Sequence, residues 1–201
     1  MKYSKPPKFI EVDGVGYPIE TDFRVWIDFS QKITNLSDEA LLNEILKFIE
    51  TQGLPVSEES LQAVLMFYSC GEKPKPEKKN ASVSHGRAFD FEKDEELILA
   101  AFMSQYHINL RKEHLHWWDF IAMFKGLKDD EKICEIMGYR TMDINNVSDS
   151  QKAYYRRLKE KYSLDTVHYA SLEERNNAMR DKIKQLQNKV NGSGSRNIGN
   201  Y

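Results

Sequence analysis

The chain has 201 residues, 40% of them hydrophobic and 30% charged, with a formal net charge of −2. Such a chain can bury a core without disulfides or metal; wholesale disorder is excluded, and so is a global cationic field for nucleic acid or anionic lipid. Its two cysteines, Cys70 and Cys134, form neither a CxxC pair nor a disulfide framework, which points to a reducing, intracellular compartment.

Met1 to Phe9 is basic and proline-containing with no apolar run behind it, so it does not read as a signal peptide. No stretch approaches the roughly 18 apolar residues of a membrane span, and the expected place is the cytoplasm. Phe9, Ile10 and Val12 then lead into Asp13-Gly14, and Val15, Tyr17 and Ile19 follow. Asp-Gly between alternating runs signals a two-residue hairpin turn, because both central residues need positive φ. A lone hairpin is marginally stable, so this one is expected to pack on the helices behind it.

Helices follow. Thr21 or Asp22 is placed to cap a segment carrying Phe23, Trp26, Ile27 and Phe29. Ser37, with Asp38 and Glu39 behind it, opens the next, whose buried stripe is Leu41, Leu42, Ile45, Phe48 and Ile49 and whose end is Gly53. Ser57 starts a third, with Val56 and Leu61 placed as a hydrophobic staple and Val64, Leu65, Phe67 and Tyr68 on the apolar face. From 72 to 88, Lys73-Pro74-Lys75-Pro76-Glu77-Lys78-Lys79 alternates proline with charge and reads as a flexible loop: disordered, functional, or a joint between subdomains.

Helix resumes near Asp90, with Glu92, Asp94, Glu95 and Glu96 as a solvated acidic first turn and Leu97, Ile98, Ala101 and Phe102 on the buried face. Leu115 to Phe124 is apolar nearly all round and closed by Gly126; this marks the central core helix, with Trp117, Phe120, Ile121 and Phe124 buried. Asp129 or Asp130 caps a short helix with Ile133, Ile136 and Met137, stopped by Gly138. Arg140 and Asp143 flank a turn and are expected to pair locally. Ser148 with Gln151 fits a capping box for a helix whose core face is Tyr154, Leu158 and Tyr162.

Asp165 to Val190 reads as a long last helix with a heptad seam through Tyr169, Leu172, Asn176, Met179, Ile183, Leu186 and Val190. Arg175, Lys182 and Lys189 fall at g-type positions and Arg180 and Gln187 at e-type positions, so parallel self-pairing sets Arg175 against Arg180 and Lys182 against Gln187, neither of which attracts, and is disfavoured, though self-association stays open. The expectation is a mainly α, compact multi-helix domain: a hairpin at 1–20 packed on a helical domain at 21–164, a C-terminal helix at 165–190 and a disordered tail at 191–201.

Chemistry is sparse. His114-x-His116 with Cys134 is the nearest approach to a metal set, but residues two apart on a helix point about 200° apart and cannot face one ion. Cys134 reads as a small apolar residue beside Ile133 and Met137 rather than a nucleophile. There is no GxGxxG and no GxxxxGK[ST], and Gly14-x-Gly16 lies in a hairpin with no helix N-terminus to offer a phosphate. The sequence therefore predicts no catalytic residue, cofactor, metal or small-molecule substrate, and a role in binding. Lys152, Arg156, Arg157, Lys159 and Lys161, interleaved with Tyr154, Tyr155 and Tyr162, leave nucleic-acid binding through 151–190 as an alternative. The candidate protein-binding residues are Trp118, Arg156, Arg157, Arg175, Arg180 and Lys182.

Four stretches carry a resemblance. They are Asp90-Phe91-Glu92-Lys93-Asp94-Glu95-Glu96-Leu97-Ile98-Leu99-Ala100-Ala101-Phe102, Leu115-His116-Trp117-Trp118-Asp119-Phe120, Phe124-Lys125-Gly126-Leu127, and Gly138-Tyr139-Arg140-Thr141-Met142-Asp143-Ile144. In order and spacing they resemble the bacteriophage gene-product-fifteen family of long-tailed phages and prophages of Gram-positive bacteria, over most of the chain to about Leu164. The resemblance implies a tail-module protein encoded near the tape-measure gene. Its implied role is a tail-assembly chaperone or factor that binds tape-measure or tail-tube protein in the bacterial cytoplasm, with a minor structural component of the virion tail as the alternative. It brings no catalytic motif.

Overall fold

Asp13 and Gly14 take φ of 51° and 76° and turn the chain between two short antiparallel strands, β1 (Phe9–Val12) and β2 (Val15–Pro18). Positive φ at both central residues matches the strand twist, so Asp-Gly selects this turn. Val12 pairs with Val15 and Ile10 with Tyr17, and on the face that these four share Ile10 and Val12 are buried. The computed structural model describes residues 5–34, 36, 38–72 and 87–164. They form two compact units, and the division falls within the proline-rich stretch after Glu72.

The first unit holds the hairpin, α1 (Phe23–Thr34), α2 (Asp38–Thr51) and α3 (Glu58–Tyr68). Here β1 packs on α3, α1 on α2, and α2 on α3. The core is built round Trp26, which is fully buried with its ring centroid 5.6 Å from Phe29, 5.0 Å from Phe48 and 4.8 Å from Phe67. Its indole N–H donates to the Glu20 carbonyl at 2.8 Å, so the one polar atom of the ring is satisfied. Leu41, Leu42, Ile45 and Ile49 supply the predicted stripe of α2. Gly53, at φ 69°, reverses the chain, and the Leu54 N–H closes on the Ile49 carbonyl at 3.1 Å. Two local expectations hold in detail: Asp22 Oδ1 accepts from the Arg24 N–H at 2.8 Å, and Ser57 Oγ accepts from the Ser60 N–H at 3.1 Å. Val56 stays exposed, so the expected staple with Leu61 does not bury it. Ser37 lies outside the described residues.

The second unit holds α4 (Glu95–Tyr106), α5 (Trp117–Lys125), α6 (Lys132–Thr141), a 3₁₀ turn at Ile144–Asn146 and α7 (Asp149–Lys161). Its core is an aromatic column along α5. Trp117 and Phe120 stack at 5.9 Å, Phe120 and Phe124 at 6.2 Å, and Phe102 of α4 stacks on Phe120 at 5.3 Å. Phe91 and Phe89, in the loop before α4, set their edges against this column, 6.5 Å from Trp117 and 4.9 Å from Phe124 respectively. Trp117, Phe120 and Phe124 are buried as predicted, whereas Ile121 is only half-buried. Polar contacts lock α4 to the end of α5. The Tyr106 hydroxyl donates to the Met123 carbonyl at 2.8 Å, and Gln105 donates to the Gly126 carbonyl at 2.9 Å.

Sequence expectations change at α4, α6 and α7. α4 begins at Glu95, not near Asp90, because the Asp90 carboxylate accepts the N–H groups of Glu92 and Lys93 at 2.9 and 3.0 Å and holds a turn there. α6 runs through Gly138 to Thr141, and Ile133, Ile136 and Arg140 share its inner face. A mid-helix glycine costs only about 1 kcal/mol, less than the packing that the final turn brings. In α7, Tyr154 is 60% exposed, and the inner side is formed by half-buried Tyr155, Leu158, Lys159 and Tyr162. The expected Ser148–Gln151 capping box is also absent: the Ser148 hydroxyl donates to Gln151 Oε1 at 2.8 Å and caps no backbone N–H.

Candidate protein-binding surface

The first and last of the four distinctive blocks meet at Arg140. Its guanidinium is buried and grips Asp94 with two hydrogen bonds, Nη1 to Oδ2 at 2.6 Å and Nη2 to Oδ1 at 3.0 Å. Nη1 also donates to the Ala88 carbonyl at 3.1 Å, and Nε to the Tyr162 carbonyl at 2.6 Å. The Asp94 carboxylate takes a further N–H from Asp90 at 2.9 Å. One side chain thus ties the loop before α4, the start of α4 and the end of α7 to α6. This corrects two expectations. Arg140 does not pair with Asp143, whose carboxylate instead caps the 3₁₀ turn through the Asn145 N–H at 2.9 Å. Asp94 belongs to no solvated acidic turn, since 3% of its side chain is exposed. The sequence carried a signal for this: an arginine seven residues after Ile133, on a helix's apolar face, needs a buried acceptor.

Arg87 completes the acidic corner by pairing with the other oxygen of Asp90. Burial works against the Asp90 carboxylate's charge, but the N–H groups of Lys93 and Glu92 and the Arg87 guanidinium outweigh it and hold its pKa below the usual value. Every partner in this network is structural, and the network faces inward.

The sequence-derived chemistry is dispersed. His116 is the N-cap of α5, where its Nδ1 accepts the Trp118 N–H at 3.0 Å, and His114 is exposed in the loop before it. Among the described residues no group of three or more His, Cys, Asp or Glu side chains lies where it would hold a metal ion. Burial, and then the carboxylates of Asp129, Glu131 and Asp130, push the Cys134 thiol up, so it stays protonated at neutral pH. A hollow bounded by Pro18, Ile19, Glu20, Val25, Thr51 and Gln52 is open to solvent. Its polar groups are engaged locally: Gln52 Oε1 accepts the Glu20 N–H, and the Glu20 carboxylate accepts those of Thr21 and Asp22.

Of the candidate binding residues, Trp118 is half-buried with its ring edge-on to His116 at 6.4 Å. Arg156 and Arg157 are exposed on α7 and make no hydrogen bond or ion pair with any described residue. Arg175, Arg180 and Lys182, and with them the heptad seam of 165–190, lie outside the described residues. Sequence reasoning missed Tyr154: placed in the core by its spacing from Leu158 and Tyr162, it stands out beside the arginines, 5.3 Å from Tyr155.

A family model described as Bacteriophage Gp15 protein matches residues 4–164. The chain belongs to this family. The matched span takes in every described element of both units, from the hairpin to α7. No curated protein and no solved structure matches the chain. The four blocks that carried the resemblance form the Gp15 chain's second core, where the aromatic column and the Asp94–Arg140 pair use them. Among the described residues no helix is long and apolar enough to cross a membrane.

Proposed function

We propose that this Gp15-family protein is a non-enzymatic tail-assembly factor that binds a helical tail component, the tape-measure or the tail-tube protein, in the bacterial host. The observation that carries the reading is the division of labour in the second unit. Its distinctive residues are consumed by the interior, while the cations Arg156 and Arg157, beside exposed Tyr154, lie on the outside and engage none of the described residues. Family membership sets the context as phage-encoded. A tape-measure protein is a long helix whose apolar stripes aggregate if left bare, and a helical factor shields such a stripe by helix-on-helix contact. Release on tube polymerisation requires contacts of moderate strength, which a partly charged surface provides.

Co-expression with the tape-measure protein and with the tail-tube protein of the same phage tests the proposal. The expected result is co-purification with one of them and a higher soluble yield of that protein. Absence of both rescue and co-purification refutes it. Mass spectrometry of purified particles separates the two forms of the role, because stoichiometric retention in the virion identifies a structural tail component rather than a transient chaperone.

A further inference from the structure

No residue of α7 is fully buried. Opposite its half-buried side, Tyr154, Arg157 and Lys161 recur at i, i+3 and i+7, so they stand in one row of about 10 Å on the outer face. Lys152 pairs with Asp149 at 2.7 Å, Lys159 donates to the Met142 carbonyl at 2.9 Å, and the Lys161 ammonium lies over the ring of its neighbour Tyr162, 5.0 Å from the centroid. Arg157 has no such partner among the described residues. An exposed tyrosine one turn from an unpaired arginine is the pairing that protein interfaces concentrate. The ring offers large area at small rotamer cost, and the guanidinium fork donates two parallel hydrogen bonds to a carboxylate.

We infer that, within the tail-protein reading above, the row Tyr154–Arg157–Lys161 docks an acidic amphipathic helix of the tail partner, with carboxylates on Arg157 and Lys161 and an apolar side chain over Tyr154. Charge decides for a protein helix over nucleic acid. Glu160 lies within a turn of both cations and Asp149 stands at the start of the same helix, so a phosphate backbone laid along it meets carboxylates as well. The chain's net charge of −2 supplies no long-range attraction for a polyanion. A helix bearing carboxylates three or four residues apart meets the row alone.

The full chain, Tyr154→Ala/Arg157→Glu and the control Lys112→Glu are compared for binding to co-expressed tape-measure protein, to tail-tube protein and to duplex DNA. Lys112 is exposed in the loop after α4, and its reversal changes the charge by as much as that of Arg157. Circular dichroism and the thermal midpoint establish folding, and Arg157→Glu alone replaces the double variant if that variant does not fold. Wild type should bind one tail protein with salt-sensitive affinity, and the double variant should lose about tenfold or more while Lys112→Glu stays within about twofold. A Glu→Arg change on the partner should restore binding to Arg157→Glu. Equal binding by wild type and double variant overturns the docking row and leaves the tail-protein reading standing. Wild type binding neither tail protein overturns both. Duplex DNA held by wild type and released by the double variant overturns the inference in favour of nucleic acid.

Discussion

Replacing Arg140 with alanine tests what holds the second unit together. The substitution removes four hydrogen bonds, two of them to Asp94 and one each to the carbonyls of Ala88 and Tyr162. Asp94 is then left as a buried carboxylate with the Asp90 N–H as its remaining partner. Breaking a buried pair from one side costs about 3–5 kcal/mol, because the stranded charge is paid for by nothing else. That is a large share of the roughly 5–15 kcal/mol that stabilises a typical domain. Replacing both partners, Asp94→Leu with Arg140→Met, removes both charges and should cost less than Arg140→Ala alone. With two units in one chain a single melting curve mixes transitions, so urea titration is best followed by hydrogen exchange element by element. Protection should fall in α4, α6 and α7 and stay unchanged in α1 to α3. An Arg140→Ala effect below about 1 kcal/mol, or a double replacement costlier than the single, refutes the assignment of the pair as the unit's lock.

Trp117→Ala should destabilise the same unit by about 3–5 kcal/mol by opening a cavity in the aromatic column, and an unchanged urea midpoint for that unit counts against it. Gly14→Ala meets no atom within 4 Å but forces a Cβ on φ 76°, so about 1–2 kcal/mol should be lost from the first unit, read as faster exchange of the hairpin amides. Asp90, with its pKa lowered in the fold, contributes stability that is complete above its unfolded value near 4 and is lost as pH falls through the folded value. The stability difference between wild type and Asp90→Asn should therefore be flat at neutral pH and shrink below about pH 4 in acid titrations; a difference that persists unchanged into that range contradicts it.

Local signals in the sequence were legible, and long-range ones were not. The Asp13-Gly14 turn, the Ser57 cap, the α2 stripe and three of the four predicted α5 core positions all follow from residues within about one or two turns of each other. The partner of Arg140 sits 46 residues away in sequence, so no local rule names it, and the nearer Asp143 drew the assignment instead. Gly138 misled for a related reason. A glycine stops a helix when nothing beyond it packs, and here the turn beyond it delivers Arg140 to the core. Tyr154, Leu158 and Tyr162 fit a single face by spacing, but α7 covers its unit with a narrow strip, and Tyr155 and Lys159 turn the helix so that Tyr154 points out. Asp90 shows the competition at a helix start, where a carboxylate that can hold its own turn delays the helix to Glu95.

The same geometry bears on where activity resides. In this unit the unusual residues converge and are satisfied: Asp94 and Arg140 answer each other, Asp90 is held by two backbone N–H groups and Arg87, and His116 is spent on the Trp118 N–H. Among the described residues no buried side-chain nitrogen or oxygen lacks a partner. A satisfied interior fixes shape, and the proposed recognition then falls to groups outside it. In the proposed reading those groups on α7 are Tyr154 with Arg157 and Lys161, which pair with no carboxylate among the described residues, set on a helix that Arg140 anchors through the Tyr162 carbonyl. Arg140→Ala should therefore weaken partner binding by loosening α7, whereas Arg157→Glu should weaken it with the fold intact. Hydrogen exchange of α7 separates the two, since the first variant raises it and the second does not.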